Sequence, residues 1–133
     1  MTKRELSKYY YLSLEMKNIE NRIRELEITT ISCKEPTGMP RGNEIGKPVE
    51  KKAELLIRLK EKLEKRKEKS LKILSDIDEY IEAIEDPETR MIFTKRYIEL
   101  KRWEDITKEM CMSESSVFRR HKNQLRRNQD EVV

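Results

Sequence analysis

The chain has 133 residues, of which 42% are charged and 35% are hydrophobic. This length fits one domain or two small ones. Two Phe and one Trp are too few for a thick aromatic core, so the composition favours long, solvated helices that bury apolar surface against each other. The formal net charge of +4 is small, and its distribution along the chain is more informative than its sum. We therefore predict an all-α protein.

The cysteines and the N-terminus indicate a cytoplasmic protein. Cys33 and Cys111 lie far apart and form no CxxC pair, so we expect free thiols in a reducing compartment. The first ten residues contain no apolar stretch typical of a signal peptide. No apolar run approaches the length of a membrane span.

The first predicted helix covers about residues 2–28. Its apolar residues recur at steps of four and three, which is the heptad spacing of helices that pack side by side. They are Leu12, Met16, Ile19, Ile23 and Leu26. A linker then covers residues 29–48, which include all three glycines and three of the four prolines. It is interpreted as a mobile connector, a segment lying over the helices, or an arm that contacts a partner.

The second predicted helix covers about residues 49–85 and is longer than the first. Its apolar stripe is interrupted between Glu64 and Ser70. Because the first helix can cover only part of this stripe, we expect a second copy of the chain to cover the rest, which makes the protein a homo-oligomer, a dimer or higher. The residues assigned to oligomerisation are the five heptad residues of the first helix and Leu56, Leu63, Leu74, Ile77 and Ile81.

Charge is segregated along this second helix. Residues 51–72 contain ten basic and four acidic side chains, whereas residues 73–88 contain seven acidic side chains and no basic one. Pro87 favours a new helix in its first turn and disfavours helical geometry at Asp86. The predicted boundary therefore separates a helical hairpin with its linker, residues 1–85, from a three-helix domain, residues 86–133.

Residues 103–127 have the pattern of a helix-turn-helix motif. A short helix, Trp103–Met110, precedes a turn and a second helix whose N-cap is Ser113. The inward positions are Ile106, Met110, Met112, Val117 and Leu125. Polar and basic residues occupy the opposite face at steps of three and four, and residues 115–129 contain five basic residues and no acidic one.

These residues resemble a known family. The run Glu104-Asp105-Ile106, Met110 and Met112-Ser113-Glu114-Ser115-Ser116-Val117 is similar to phage-encoded late transcription regulators of the RinA/ArpU type, which are themselves similar to region 4 of bacterial sigma factors. The preceding residues 88–98 also resemble that family, so the likeness covers roughly the last 45 residues. It implies a sigma-like domain that binds DNA through the helix after Ser113, in a bacterial host cell.

The chain departs from the family pattern at four positions. Cys111 and Leu100 stand where the family commonly has Gly, Thr107 where it has a small Ala, and Arg102 where it has a Ser or Thr cap. These departures predict a more strained and less tightly packed motif, with a left-handed backbone at Cys111.

The resemblance and the basic face together identify the candidate DNA-binding residues. They are Ser115, Ser116, Arg119, Arg120, Lys122, Asn123, Arg126 and Arg127. Arg119 is the best candidate for a bidentate contact to guanine, and the two serines can contact bases or phosphates. The remaining basic residues are expected to add salt-dependent affinity for phosphate, although the position of Arg120 borders the core.

Catalysis has little support in the sequence. The single histidine, His121, lies on or beside the inward face, and we expect it to be packed or to contact phosphate. No Cys/His cluster has metal spacing and no glycine-rich phosphate loop occurs, so no cofactor or metal is expected.

Three functions remain open. The first is a sequence-specific transcription regulator that binds double-stranded DNA. The second is a DNA-packaging component similar to small terminases, and the third is an interaction protein that binds RNA polymerase through its sigma-like fold.

Overall fold

The computed structural model describes residues 1–32 and 46–131, with side chains described for residues 1–29 and 49–128. All regular elements in this part of the chain are helical: α1 (Lys3–Ser32), α2 (Gly46–Glu82), α3 (Pro87–Phe93), a π-helical turn (Thr94–Ile98), α4 (Trp103–Met110) and α5 (Glu114–Glu131). The predicted all-α class is confirmed. Among these helices, none combines the length and apolar character that crossing a membrane requires.

Both long helices extend further into the predicted linker than expected. Residues 29–32 belong to α1 and residues 46–48 to α2, where Pro48 is tolerated because the first turn of a helix needs no backbone donor. The rest of the linker, residues 33–45, lies outside the described residues, and so does Cys33. The start of α1 is fixed by a capping box, in which Thr2 N–H donates to Glu5 Oε2 (3.0 Å) and Glu5 N–H donates to Thr2 Oγ1 (3.3 Å).

The chain divides into two compact units. One comprises Ser13–Lys69, where α1 and α2 form an antiparallel hairpin: Glu15 pairs with Arg66 (2.7 Å) and Glu27 with Lys60 (3.4 Å). The apolar seam of this hairpin is the set of heptad residues from α1 and leucines from α2. Its members are Ile19, Ile23, Leu26, Leu55, Leu56, Leu59 and Leu63.

The other unit comprises Met1–Leu12 and Ser70–Val133. Its larger core brings the start of α1 and the end of α2 against the C-terminal helices, and its buried members are Leu6, Ile77, Ile81, Ile84, Phe93 and Tyr97. A second cluster in the same unit contains Ile92, Ile106 and Val117. The predicted boundary at residue 85 does not coincide with this division. Leu6 and Ile77, which were predicted to belong to the hairpin, pack with residues of the predicted C-terminal domain. Separate folding of residues 86–133 stays a prediction.

The residues assigned to oligomerisation are engaged within the single chain. Leu12, Ile19, Ile23, Ile77 and Ile81 are buried, and Met16, Leu26, Leu56, Leu63 and Leu74 are half-buried. The sequence analysis assumed that α1 was too short to cover the stripe of α2, but Ile77 and Ile81 are covered by α1 and by the C-terminal helices instead. In this conformation Ile77 and Ile81 have no surface for a second chain, and self-association stays a prediction.

Candidate nucleic-acid interface

The candidate interface is built on α4, a three-residue turn and α5. The predicted helix Trp103–Met110 and the predicted cap at Ser113 are both confirmed. Ser113 Oγ accepts from the backbone N–H of Ser116 (3.3 Å), which satisfies one of the free donors in the first turn of α5. Glu114 occupies the first turn, where its negative charge suits the positive end of the helix.

The turn between the helices is a Schellman motif centred on Cys111. This residue has the predicted left-handed backbone, with φ 53° and ψ 40°. Its N–H donates to the carbonyl of Lys108 (3.3 Å), and the next N–H, from Met112, donates to Thr107 (3.2 Å). Met112 also packs against the cluster that contains Ile106, and an apolar contact of this kind commonly accompanies such a turn. The thiol of Cys111 is free and exposed.

The entry to α4 is also left-handed. Leu100 has φ 58°, so both positions where the resemblance expects glycine have the backbone that glycine favours. On either side of it, Glu99 N–H donates to the Thr94 carbonyl (3.0 Å) and Lys101 N–H donates to the Lys95 carbonyl (2.9 Å), which are the wide turns at the end of the π-helical segment. As expected from the sequence, Arg102 provides no side-chain cap for α4.

Glu109 connects α4 to the segment that precedes it. Its carboxylate accepts from Lys95 Nζ (2.7 Å) and from Lys101 Nζ (2.6 and 2.8 Å). The hydrogen bonds from Lys101 and Lys95 lower the pKa of Glu109, and the same contact raises the pKa of Lys101. The sequence analysis missed this network because its members are distant from one another along the chain.

His121 lies at the centre of an aromatic cluster on the inward side of α5. Its ring centroid is 4.8 Å from that of Trp103 and 5.2 Å from that of Phe93. Tyr97 Oη lies 2.5 Å from His121 Nε2. Burial, followed by the charges of Lys3 and Arg96, lowers the pKa of His121 to about 4. The histidine is therefore neutral at pH 7 and packed, the first of its two predicted roles.

Burial fixes the proton positions in this pair. It raises the pKa of Tyr97 to about 12, so the phenol keeps its proton. A protonated phenol beside a neutral imidazole makes Tyr97 the donor and His121 Nε2 the acceptor. This buried pair fixes the rotation of α5 about its axis, because His121 must face Tyr97.

The opposite face of α5 displays the predicted DNA-binding residues. Ser115, Arg119, Lys122, Asn123, Arg126 and Arg127 are exposed, and Ser116 is half-buried. None of the basic side chains among them forms an ion pair within the described residues, although nearby basic residues such as Lys95 and Lys101 do. The structure thus brings seven of the eight candidate residues to one side of the helix, and four of the seven are basic side chains without an ion pair in the described part of the chain.

Arg120 differs from the other candidates. Its guanidinium pairs with Asp86 Oδ2 (2.9 Å) and with Glu88 Oε2 (2.6 Å), at the start of α3. Asp86 is also the N-cap of α3, where its carboxylate accepts from Thr89 Oγ1 (2.6 Å) and Thr89 N–H (3.3 Å). The hydrogen bond from Thr89 is the main cause that lowers the pKa of Asp86, and Arg120 adds to it. In this conformation Arg120 ties α5 to α3, and its contact with phosphate stays a prediction.

The exposed aromatic ring of Phe118 was missed by the sequence analysis. It is 44% exposed, immediately before Arg119, and its ring lies 5.1 Å from that of Trp103. Trp103 is in turn covered by the guanidinium of Arg96, 4.7 Å from the ring centroid. The sequence already contained a signal for this exposed ring, because Phe118 is an apolar residue at an outward position of a helix that is otherwise polar on that side.

Comparison with known proteins identifies a family but no characterised relative. No curated protein and no solved structure matches the chain. Residues 47–129, which include all of α2 except its first residue and the whole helix-turn-helix motif, match the family described as "Protein of unknown function (DUF1492)". Because this match covers more than half of the sequence, the chain belongs to the DUF1492 family.

Proposed function

We propose that this protein is a sequence-specific transcription regulator that binds double-stranded DNA with α5. The observation that supports it most is the unpaired basic face of α5, directly after a capped helix-turn-helix turn. In such motifs the N-terminal part of the second helix meets base edges in the major groove, and flanking basic residues meet phosphates. Arg119 lies in the second turn of α5, and Arg126 lies two turns later on the same face.

The finer proposal concerns the class of regulator. The run from Glu104 to Val117 resembles phage-encoded late regulators of the RinA/ArpU type, and the left-handed Leu100 and Cys111 fit the glycine positions of that pattern. We therefore place the protein in the cytoplasm of a bacterial host cell, as a homo-oligomer of two or more chains that acts on transcription beside RNA polymerase.

The test is a selection of bound duplexes from random DNA with the full chain, followed by affinity measurements on the enriched site. Arg119→Ala should lower affinity by about 1–3 kcal/mol and relax the preference at one base pair. Arg126→Ala should weaken all duplexes about equally and reduce the salt slope by about one. Lys8→Ala, which removes one exposed charge from α1, is the matched control and should change neither.

These measurements, together with a mass measurement and a test of binding to RNA polymerase, separate the alternative functions. If no sequence is enriched, or if Arg119→Ala and Arg126→Ala lose affinity in the same uniform way, α5 is not a sequence-specific contact. A ring of roughly eight or more chains in a mass measurement would favour the small-terminase function. Capture of RNA polymerase without any DNA preference would favour the interaction protein.

A further inference from the structure

The hairpin unit carries a row of basic side chains that the proposed function does not use. Lys51, Arg58, Lys62, Lys65 and Lys69 of α2 are all exposed, and we refer to them as the α2 basic row. They follow one another at intervals of seven, four, three and four residues, so they lie along one side of the helix. The row extends over about 27 Å at ~1.5 Å per residue.

The row differs from the other basic residues of the same helix in its partners. Lys60 pairs with Glu27, Arg66 with Glu15, and Lys67 with Glu64. No member of the α2 basic row forms an ion pair with any residue that the structure describes, which leaves five positive charges uncompensated by direct contact.

Acidic residues accompany the row without neutralising it. Glu54, Glu61 and Glu68 recur every seven residues on the neighbouring side of α2, and all three are exposed. Their spacing of four residues to Arg58, Lys65 and Lys72 would suit ion pairs within the helix. No such pair is formed among the described residues, so the α2 basic row remains available to an external anion.

Most of the apolar side chains of α2 in the hairpin unit are already occupied, although Ile57 is 60% exposed. Leu55, Leu56, Leu59 and Leu63 pack against α1 in the hairpin seam. A helix that lies on a membrane needs an apolar face to bury among the lipids, in addition to its basic residues. The row itself contains no apolar residue, so an extended polyanion in water suits it better than a bilayer.

We propose that the α2 basic row binds the phosphate backbone of double-stranded DNA without regard to sequence. A duplex carries one negative charge per about 1.7 Å of its axis, so a rigid row of this length can approach several phosphates at once. Four of the five members are lysines, which act as point charges and lack the planar fork that arginine uses for bidentate contacts to guanine. The row lies in the hairpin unit and does not depend on α5 for its geometry.

The test uses the full chain and a duplex of about 20 base pairs with scrambled sequence, roughly 68 Å long. The first variant is Lys62→Gln/Lys65→Gln/Lys69→Gln. The matched control is Lys17→Gln/Arg22→Gln/Arg24→Gln, which removes three exposed charges from α1 in the same unit. Each variant lowers the net charge by three and should leave the helices intact, because every substituted side chain is exposed.

Losing three phosphate contacts should reduce the slope of log affinity against log salt by about 2.7, at about 0.9 per contact. The wild type should therefore lose about 40-fold more affinity than the row variant between about 50 and 200 mM salt. The control should keep the wild-type slope to within about one contact. Combining the row variant with Arg126→Ala should reduce the slope further.

Three results would overturn the proposal. Equal slopes for the two triple variants would mean that only net charge matters. Unchanged duplex binding with lost binding to phosphatidylserine vesicles would assign the row to a membrane. Unchanged duplex binding with a changed oligomeric mass would assign it to the acidic residues 73–88 of a second copy. Failure of the proposed role of α5 can be told apart from failure of this proposal. If α5 does not bind DNA, no sequence preference is found, but the α2 basic row still affects the salt slope.

Discussion

At the scale of single residues, His121 makes stability depend on pH. Its pKa is about 4 in the folded chain, against an ordinary value of 6.5. Between these values the unfolded chain binds a proton that the folded chain excludes, so the free energy of unfolding falls as pH falls from about 6.5 to about 4. Above about pH 6.5 the histidine is neutral in both states and the effect is absent.

We expect the loss to be on the order of 2–3 kcal/mol, measured by urea unfolding at a series of pH values. His121→Gln keeps a group that can accept from Tyr97 and cannot titrate, so its stability should be flat from pH 6.5 to about pH 5. The pKa values of Asp86 and Glu109 are lowered in the folded chain. Their protonation therefore reduces the free energy of unfolding only at still lower pH, and it does so equally in both proteins. A similar slope in the Gln variant would contradict the assignment to His121.

Cys111 stores backbone strain in the turn. A residue with a Cβ held at φ 53° costs on the order of 1 kcal/mol relative to glycine. Cys111→Gly should raise the free energy of unfolding by a few tenths to about 1 kcal/mol, because the greater freedom of glycine in the unfolded chain offsets part of the relief. The measurement is a denaturant melt of the full chain.

Cys111→Ala is the control for this gain. It removes the same thiol contact to the Lys108 carbonyl but keeps the Cβ, so it should not stabilise the protein. Equal gains from Ala and Gly would show that the thiol, and not the backbone angle, is the destabilising group.

At the scale of elements, Asp86 links the start of α3 to α5. Its carboxylate caps α3 through Thr89 and pairs with Arg120. Asp86→Ala should lower the free energy of unfolding by about 1–2 kcal/mol, because it removes the cap and leaves the guanidinium without one of its two acidic partners. Urea melts at low and high salt would measure it.

Asp86→Asn separates the two roles of this side chain. The amide oxygen still caps the helix, so the loss should be about 0–1 kcal/mol and should shrink at high salt, where the contribution of a partly exposed ion pair is screened. If Asn costs as much as Ala at every salt concentration, the cap is not a significant part of the interaction.

At the scale of the whole molecule, the buried stripe of α2 belongs to the folded single chain. Ile77 is 0% exposed and packs with Leu6 and Phe93. Ile77→Ala should lower the free energy of unfolding by about 2–5 kcal/mol, and the loss should be independent of protein concentration. Leu71→Ala, at a position that is 67% exposed six residues earlier, should cost less than about 0.5 kcal/mol.

Concentration dependence decides between the two interpretations of this stripe. Stability that rises with protein concentration in the wild type, and loses that dependence in Ile77→Ala, would mean that Ile77 contacts a second chain after a rearrangement of this core. The present packing predicts that Ile77→Ala leaves any concentration dependence of the wild type unchanged. It also predicts that residues 86–133 alone would expose Phe93 and Tyr97.

The sequence determined the elements that depend on local chemistry. The periodic apolar residues of α1 and α2, the proline at the start of α3, and the serine before α5 act within one or two turns of the chain, so their outcome follows from spacing alone. The left-handed Cys111 was predicted from the family resemblance, because the family commonly has glycine at this position of the turn.

Only the tertiary structure decided which apolar residues meet and which charges are paired. Leu6 and Ile77 lie in one core with Phe93, although the chain between them runs through the entire hairpin unit. Arg119 and Arg120 are adjacent in sequence and equal in charge, yet Arg120 is turned toward Asp86 and Glu88 while Arg119 is exposed. Periodicity specifies the face on which a side chain lies, whereas its partner depends on contacts between residues that are distant in sequence.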